Sequence, residues 1–86
     1  MNAAKIVERV NRAFPKANAI VWDGKPMVGE QSEHKDLPLV DCYSGDIDPK
    51  ELVYRMGVLV EFADWLKDLG FYGEFHDAGT FVIYAD

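Results

Sequence analysis

The sequence has a single cysteine and no apolar stretch near the roughly 18 residues that a membrane-spanning helix needs. One cysteine cannot form a disulfide within the chain, which favours a reducing compartment. The first residues also lack the apolar run of a secretory signal. These absences predict a cytoplasmic protein that does not enter a membrane.

The common catalytic and cofactor motifs are missing as well. The sequence contains no glycine-rich nucleotide loop, no HExxH and no CxxC. Nucleophilic catalysis by Cys42 would need a base nearby, and a lone cysteine in a strand is more often a small core residue. We therefore expect no enzyme activity, no cofactor and no metal.

Basic residues are scarce, since nine lysines and arginines stand against fifteen acids, giving a net charge of −6. The imbalance is uneven along the chain. Residues 1–22 hold four bases and one acid, a net charge of +3, whereas residues 23–86 carry −9. Phosphate backbones repel so acidic a chain, and nucleic acid is not expected as a partner.

The chain is short, with 86 residues, which predicts one domain spanning residues 1–86. Leucine, isoleucine, valine and phenylalanine supply 24 of them, enough to exclude a disordered chain. A domain of this size has room for one layer of helices on one sheet. Its size and acidity are typical of many accessory proteins of phages and mobile elements.

Apolar residues at helical spacing predict a first helix over Ala3–Phe14. Asn2 is placed to cap its first turn, and Pro15 disfavours its continuation.

A second, longer helix is predicted over Pro49–Leu69. Asp48 is its expected N-cap, Glu51 completes a capping box, and Gly70 supplies the left-handed stop. Apolar residues cover more than one side of this segment, so it needs several packing partners.

The remaining segments predict strands. Residues 18–22 precede Asp23-Gly24, a strong hairpin turn, and a weak return strand whose Pro26 belongs at a sheet edge. Without that strand, the connection over residues 24–37 is long enough to be functional. A further strand is predicted over Pro38–Tyr43.

The chain ends in a predicted hairpin with strands over Phe71–His76 and Thr80–Ala85. Its loop, Asp77-Ala78-Gly79, suits a type I turn followed by a bulge at the glycine. The element order is therefore α-β-(β)-β-α-β-β. We expect an α+β two-layer sandwich with two helices on one face of a mainly antiparallel sheet.

Two charged lines are the first candidate interaction sites. The basic line consists of Lys5, Arg9, Arg12 and Lys16 at helical spacing. The acidic line consists of Glu61, Asp64 and Asp68 on the second helix. Each line can meet a partner of opposite charge, be an ordinary solvated face, or pair with the other line if the helices lie side by side.

Acidic side chains in a row also suggest a second function, mimicry of a phosphate backbone that blocks a nucleic-acid-binding protein. Asp46 and Asp48 would extend the acidic line for this purpose. Mimicry requires these carboxylates to be clustered and unpaired in space.

Phe62 and Trp65 complete the candidate interaction residues, because the second helix has more apolar surface than a small domain can readily cover. Surface left uncovered would favour a homodimer or a protein partner.

A third function, ligand binding or catalysis, would use the loop over residues 24–37. Its polar side chains, with those of the last hairpin, include oxygen and imidazole groups but have no ligand spacing. They are Glu30, Glu33, His34, Asp36, His76 and Asp77. The function favoured by the sequence is a non-enzymatic protein-binding or inhibitory module.

Overall fold

The computed structural model describes residues 2–44, 50 and 52–85. Within these residues the chain forms an α+β fold, as expected from the sequence. Its elements, in chain order, are α1 (Ala3–Ala13), β1 (Ile20–Trp22), β2 (Lys25–Gly29), β3 (Glu33–His34), β4 (Leu37–Pro38), β5 (Tyr54–Arg55), β6 (Val58–Leu59), α2 (Val60–Asp68), β7 (Phe71–Asp77) and β8 (Thr80–Ala85).

One antiparallel sheet organises these elements, with strand order β1-β2-β8-β7. Both helices contribute to one hydrophobic core on a single face of this sheet. Helix α1 packs against β1 and β2, and α2 packs against β7. The short hairpins β3–β4 and β5–β6 lie outside the main sheet. The predicted two-layer arrangement is confirmed.

Helix α1 begins and ends where its sequence predicts. The side chain of Asn2 accepts a hydrogen bond from the Lys5 backbone N–H at 2.9 Å, which satisfies a donor that the first turn leaves unpaired. The helix ends at Ala13, just before the Phe14-Pro15 pair. Ile6 and Val10 are its buried residues.

The hairpin of β1 and β2 turns at Asp23 and Gly24, which have φ values of 50° and 74°. Two positive φ values are typical of the two-residue turns that match strand twist. The prediction that Pro26 lies at a sheet edge is wrong, because β2 lies between β1 and β8. The proline is tolerated there since pairing with β8 begins only at Met27.

The segment over residues 24–37, predicted to be a long connection only if the weak return strand did not form, is largely structured. It contains all of β2 and also β3, which pairs with β4 across a turn at Lys35 and Asp36. The predicted strand over Pro38–Tyr43 is wrong, since β4 ends at Pro38. Only Val40 pairs again, in an isolated bridge with Val58. Before Leu39 the chain pairs with β3, and after it the chain pairs with Val58, so the segment does not form one continuous strand.

The end of that segment is a turn, so Cys42 is exposed rather than part of the core. The Tyr43 backbone N–H donates to the Asp41 side chain at 3.0 Å. Such a side-chain hydrogen bond competes with strand pairing, which explains why the alternating pattern did not produce a strand.

The prediction of one helix over Pro49–Leu69 is also wrong in its first half. Residues 54–59 form the β5–β6 hairpin, and α2 begins only at Val60. Gly57, at φ 83°, sits in the hairpin turn, a conformation that no helix interior adopts. Gly70 does stop the helix, at φ 78°. Asp46, Asp48 and Glu51, with the predicted cap and capping box, lie outside the described residues.

The C-terminal hairpin is confirmed, with a different turn from the one predicted. Asp77 pairs with Thr80, so the loop is only Ala78-Gly79, and the register shifts between Phe75 and Asp77. Gly79 is not in the left-handed region. The Asp77 side chain instead accepts the Gly79 backbone N–H at 2.9 Å.

The core centres on Phe62, which is 0% exposed. The ring of Phe14, at the end of α1, contacts Phe62 edge-on at 5.2 Å and Trp65 at 5.4 Å between centroids. Edge-to-face contacts of this kind add to the burial of apolar area. The two helices are therefore joined through aromatic rings.

The sheet face opposite the helices has no second layer among the described residues, yet Met27 and Val82 are buried there. Trp22 and His76, from opposite edges of the sheet, contact each other at 4.8 Å between ring centroids. A flat sheet would hold strands at its two edges about 14 Å apart. The sheet is therefore strongly coiled, and these two rings cover its second face.

We expect Phe62→Ala to lower the free energy of unfolding by about 3–5 kcal/mol, because it removes a ring from the centre of the core. Val21→Ala, at a position 49% exposed on the edge strand β1, is the matched control. It should change stability by about 1 kcal/mol or less. Urea denaturation of both variants measures the difference. Equal effects would contradict the central place of Phe62.

Candidate functional site

The basic line is fully on the surface, and its last member, Lys16, lies beyond the end of α1. Lys5, Arg9, Arg12 and Lys16 are all exposed. Arg12 lies 3.8 Å from Glu8 in an exposed pair one helical turn apart. Pairs of this type contribute little to stability. No ion pair within 4 Å joins the basic line to the acidic line of α2 among the described residues.

The acidic line of α2 is mostly engaged within the molecule. Glu61 lies 2.6 Å from His34 Nε2 and 3.1 Å from Lys35 Nζ. Asp64 accepts a hydrogen bond from Arg55 at 3.0 Å. Asp68 is exposed, with no ion pair to any other described residue. Two of the three acids thus contact residues of the β3–β4 and β5–β6 hairpins.

Glu61 is the acid whose titration this arrangement alters. Hydrogen bonds from Lys35 and from His34 lower the pKa of the Glu61 carboxyl below its ordinary value. A lowered folded-state pKa stabilises the protein above the unfolded pKa. That stabilisation is present at neutral pH and is lost as pH falls through the lowered pKa.

The two aromatic candidates differ in their accessibility. Phe62 is completely buried, so it is not part of the protein's surface. Trp65 is half-buried and packs against the core, with its ring stacked near that of Phe62 at 6.2 Å. The apolar surface of α2 is therefore largely used in folding.

A different surface has the shape of a binding site. A groove of about 550 Å³ opens between α2, the β5–β6 hairpin and β7. We call it the β7 groove. Its lining includes apolar side chains and charges of both signs, among them Met56, Leu66, Phe71, Phe75, Phe81, Arg55, Lys67 and Glu74. This volume falls within the range of ligand pockets, and the lining is mainly apolar.

Backbone pairing sets the β5–β6 wall of the groove. The Asp41 backbone N–H donates to the Gly57 carbonyl at 2.7 Å, and Leu59 donates to Leu39 at 3.0 Å. The Tyr54 hydroxyl donates to the Pro38 carbonyl at 2.6 Å, and burial raises the pKa of this hydroxyl. The hairpin is therefore attached to the chain segment that follows β3.

The hairpin turn reaches the sheet because residue 57 is a glycine. A Cβ at Gly57 would lie 2.8 Å from the ring of Phe75. Gly73 plays a similar part on β7, since a Cβ there would lie 2.3 Å from the ring of Phe81. Close approach at these two glycines sets one wall and the floor of the groove.

Strand β7 borders the groove and is an edge strand of the sheet. Alternate residues of an antiparallel edge strand direct N–H and C=O groups away from their partner strand. No backbone group elsewhere in residues 2–44, 50 and 52–85 pairs with that free side of β7. An apolar groove and an open row of hydrogen-bonding groups therefore occur side by side.

Met56 lies at the rim of the groove and is strained. It has φ 51°, followed by Gly57 at φ 83°, in the same kind of turn as Asp23-Gly24. Asparagine, aspartate or glycine normally occupies the first position of such a turn. Met56 is instead 84% exposed, so no internal packing compensates for the strain.

A smaller cavity of about 240 Å³ lies beside His34 and Glu61, and its lining includes Leu37, Leu52 and Val53. It is the place where the predicted loop site would be. His34 contacts Phe14 and Glu61 there. In the described part of the chain, no three histidine, cysteine or acidic side chains come together as a metal site would require.

Comparison with protein-family models, with curated proteins and with solved structures finds no match to this chain. Across the described ranges, neither helix has the length and apolar character needed to cross a lipid bilayer.

The β7 groove was not predicted from the sequence. Met56 and Lys67 were assigned to one long helix, and Phe75 to an ordinary strand. The available signal was the Met-Gly pair between Tyr-Arg and Val-Leu, which fits a two-residue hairpin turn better than a helix interior.

We expect Lys35→Met to raise the pKa of Glu61 towards its ordinary value, since it removes the largest cause of the lowering. Carboxyl carbon NMR titration measures this pKa directly. Lys67→Met, a charge removed from the same helix away from Glu61, should leave it unchanged. An unaltered Glu61 pKa in Lys35→Met would show that the contact is absent in solution.

A reciprocal exchange tests the strain at the hairpin turns. Met56→Asn should raise the free energy of unfolding by about 1 kcal/mol, because asparagine adopts positive φ at lower cost. Asp23→Met should lower it by a similar amount in the equivalent turn. Urea denaturation compares both with the parent protein. A loss of stability in Met56→Asn would mean that Met56 makes a stabilising contact.

Proposed function

We propose that the protein is a non-enzymatic binding module that takes an extended segment of a partner protein along β7. The observation that carries this proposal is the β7 groove lying directly beside the open edge of a seven-residue strand. Strand addition uses both features, because the partner's backbone pairs with the edge and alternate side chains enter the groove.

Long exposed edge strands are a hazard, and proteins usually protect them by charges, bulges or covering segments. Strand β7 has two acids, Glu74 and Asp77, and a register shift near its end. Its first five residues, Phe71–Phe75, pair regularly with β8. That part of the edge adjoins the groove and is suited to receive another strand.

Met56 supports the same proposal. Methionine is flexible and polarisable, and it is common on surfaces that adapt to a partner. An exposed methionine on a strained turn above an apolar groove is placed to cover a bound segment. Burying it against a partner would recover the apolar contact that it lacks in the free protein.

The alternative functions have weaker support. Nucleic-acid mimicry needs unpaired acids, whereas Glu61 and Asp64 are in ion pairs. A ligand site or enzyme in the loop over residues 24–37 would centre on His34, which is engaged by Phe14 and Glu61. The β7 groove itself offers mostly apolar contacts, which suit binding rather than catalysis.

An exposed cysteine that forms no disulfide, Cys42, favours a reducing, cytoplasmic compartment for this module. The net charge of −6 continues to disfavour a nucleic-acid partner.

A second copy of the chain is an alternative partner for β7. Sedimentation at micromolar concentration would then give twice the 9.7 kDa mass of one chain.

The test is selection from a display library of randomised ten-residue peptides, followed by amide hydrogen exchange. Bound peptides should slow exchange at alternate amides of Phe71–Asp77, because those N–H groups become paired. Exchange measured by NMR at each amide of the protein locates the effect. Slowing in α1 instead of β7 would assign binding to the basic line.

A matched pair of peptides sharpens the result. N-methylation at alternate residues removes either the donors that face β7 or those that face away from it. The first set should abolish binding, and the second should leave it nearly unchanged. Equal binding by both sets, or a library with no peptide that protects β7, would overturn the proposal.

A further inference from the structure

The β7 groove runs along five consecutive residues of its strand, Phe71–Phe75, and the middle one is a glycine. Phe71 belongs to the hydrophobic core and Phe75 packs against it, so both lie on the sheet face that carries the helices. Gly73 lies between them on the same face, since side chains alternate along a strand. The row of side chains on this face of β7 therefore has a gap at its centre, with a phenylalanine on each side.

A ring from the neighbouring strand reaches the groove through this gap. A Cβ on residue 73 would overlap the Phe81 ring, so that ring occupies the space that a side chain of residue 73 would need. Phe81, from β8, also lines the groove and contacts the Phe75 ring edge-on at 5.0 Å between centroids. The groove thus has an aromatic floor at the level of Gly73.

A strand added to the edge of β7 would place one side chain beside this floor. Residues directly opposite each other on paired strands lie on the same face of a sheet. The residue opposite Gly73 would therefore face the helices, and it would meet no side chain from its partner residue. Residues opposite Phe71 and Phe75 would face the same way, but beside rings that are already there. The groove consequently offers most room to a single side chain, the one opposite Gly73.

The lining of the groove favours an aromatic ring in that place. Met56 lines the groove and is 84% exposed, and a thioether sulfur makes favourable contacts with aromatic rings at about 5 Å. Aromatic rings also attract one another edge to face at centroid distances of about 4.5–7 Å, and Phe75 and Phe81 can offer such contacts. An aromatic side chain would therefore gain contacts from three lining residues that an aliphatic side chain would lack.

Resting on the proposed function, we infer that β7 accepts segments with one aromatic anchor, whose ring enters the groove opposite Gly73. The rest of the segment is held by backbone pairing along the edge, which depends little on the identity of its side chains. Selectivity then lies mainly at the anchor, as is common for aromatic residues buried in interfaces. The lining has charges of both signs, from Arg55, Lys67 and Glu74, so selectivity is assigned to the anchor and not to charge.

Three ten-residue peptides test this inference. The tryptophan peptide is Thr-Lys-Thr-Glu-Thr-Trp-Thr-Lys-Thr-Glu, in which the lysines and glutamates balance and the threonines favour extended pairing. The leucine and alanine peptides have that residue in place of the tryptophan. NMR titration of the β7 amides measures the three affinities. We expect the alanine peptide to bind about thirtyfold more weakly than the tryptophan peptide, and the leucine peptide about threefold or more weakly.

The variant Ala63→Leu tests where the anchor binds. Ala63, on α2, lines the groove and is partly buried, so a larger side chain there would occupy the space of the anchor. We expect this variant to bind the tryptophan and alanine peptides with affinities within about threefold of each other. Ala4→Leu makes the same change at an exposed position of α1 and should keep the full preference. The urea midpoint shows that each variant remains folded.

A second measurement uses the unaltered protein. In the peptide Thr-Lys-Thr-Glu-Trp-Thr-Thr-Lys-Thr-Glu the tryptophan lies one residue earlier. An anchored ring should stay opposite Gly73 while the peptide slides by one residue along β7. Nuclear Overhauser contacts from the indole to the rings of Phe75 and Phe81 should therefore be the same for both tryptophan peptides. Contacts to Tyr72 instead, or contacts that change between the two peptides, would overturn the anchor.

The affinities separate this inference from the proposed function. If the three peptides protect β7 from exchange with equal affinity, strand addition stands and the anchor is overturned. Equal binding of the leucine and tryptophan peptides overturns its aromatic character. A preference for tryptophan that persists in Ala63→Leu overturns its place in the groove. If no peptide protects β7, strand addition at this edge fails together with the inference.

Discussion

The close approach of Gly57 to the ring of Phe75 is the constraint on which the proposed binding surface depends. It lets the β5–β6 hairpin contact the edge of the main sheet, and the hairpin leads directly into α2 at Val60. The start of the second helix, the wall of the β7 groove and the exposure of Met56 all follow from that contact. A side chain at residue 57 would meet both a steric clash and an unfavourable φ of 83°.

The acidic residues of the chain differ in their surroundings. On α2, Glu61 and Asp64 lie in ion pairs with residues of the neighbouring hairpins. On β7, Glu74 remains exposed on the side away from the core. A net charge of −6 therefore does not describe one acidic surface, and the groove beside β7 has charges of both signs in its lining, Arg55, Lys67 and Glu74.

Several elements were predictable because their causes are local. Helix α1 begins after Asn2 and ends before Pro15. The first hairpin turns at Asp23-Gly24, and α2 ends at Gly70. The second helix was extended too far because Leu52, Met56 and Leu59 also fit a helical spacing. Only contacts distant in sequence distinguish the two conformations, namely those of Val58 with Val40 and of Gly57 with Phe75. The prediction that Cys42 lies in a strand was wrong because the Asp41 side chain accepts a backbone hydrogen bond in a turn there, in place of strand pairing.

The sequence alone determined the class of fold, the first helix, the terminal hairpin and the excess of acids, since periodicity, turn residues and composition act over short distances. The tertiary structure decided that Phe62 is buried at the centre of the core and that two acids of α2 are paired. It also decided that β7 lies at the edge of the sheet beside an apolar groove. Strand order and surface exposure depend on contacts between segments that are distant in sequence, and local sequence patterns do not specify those contacts.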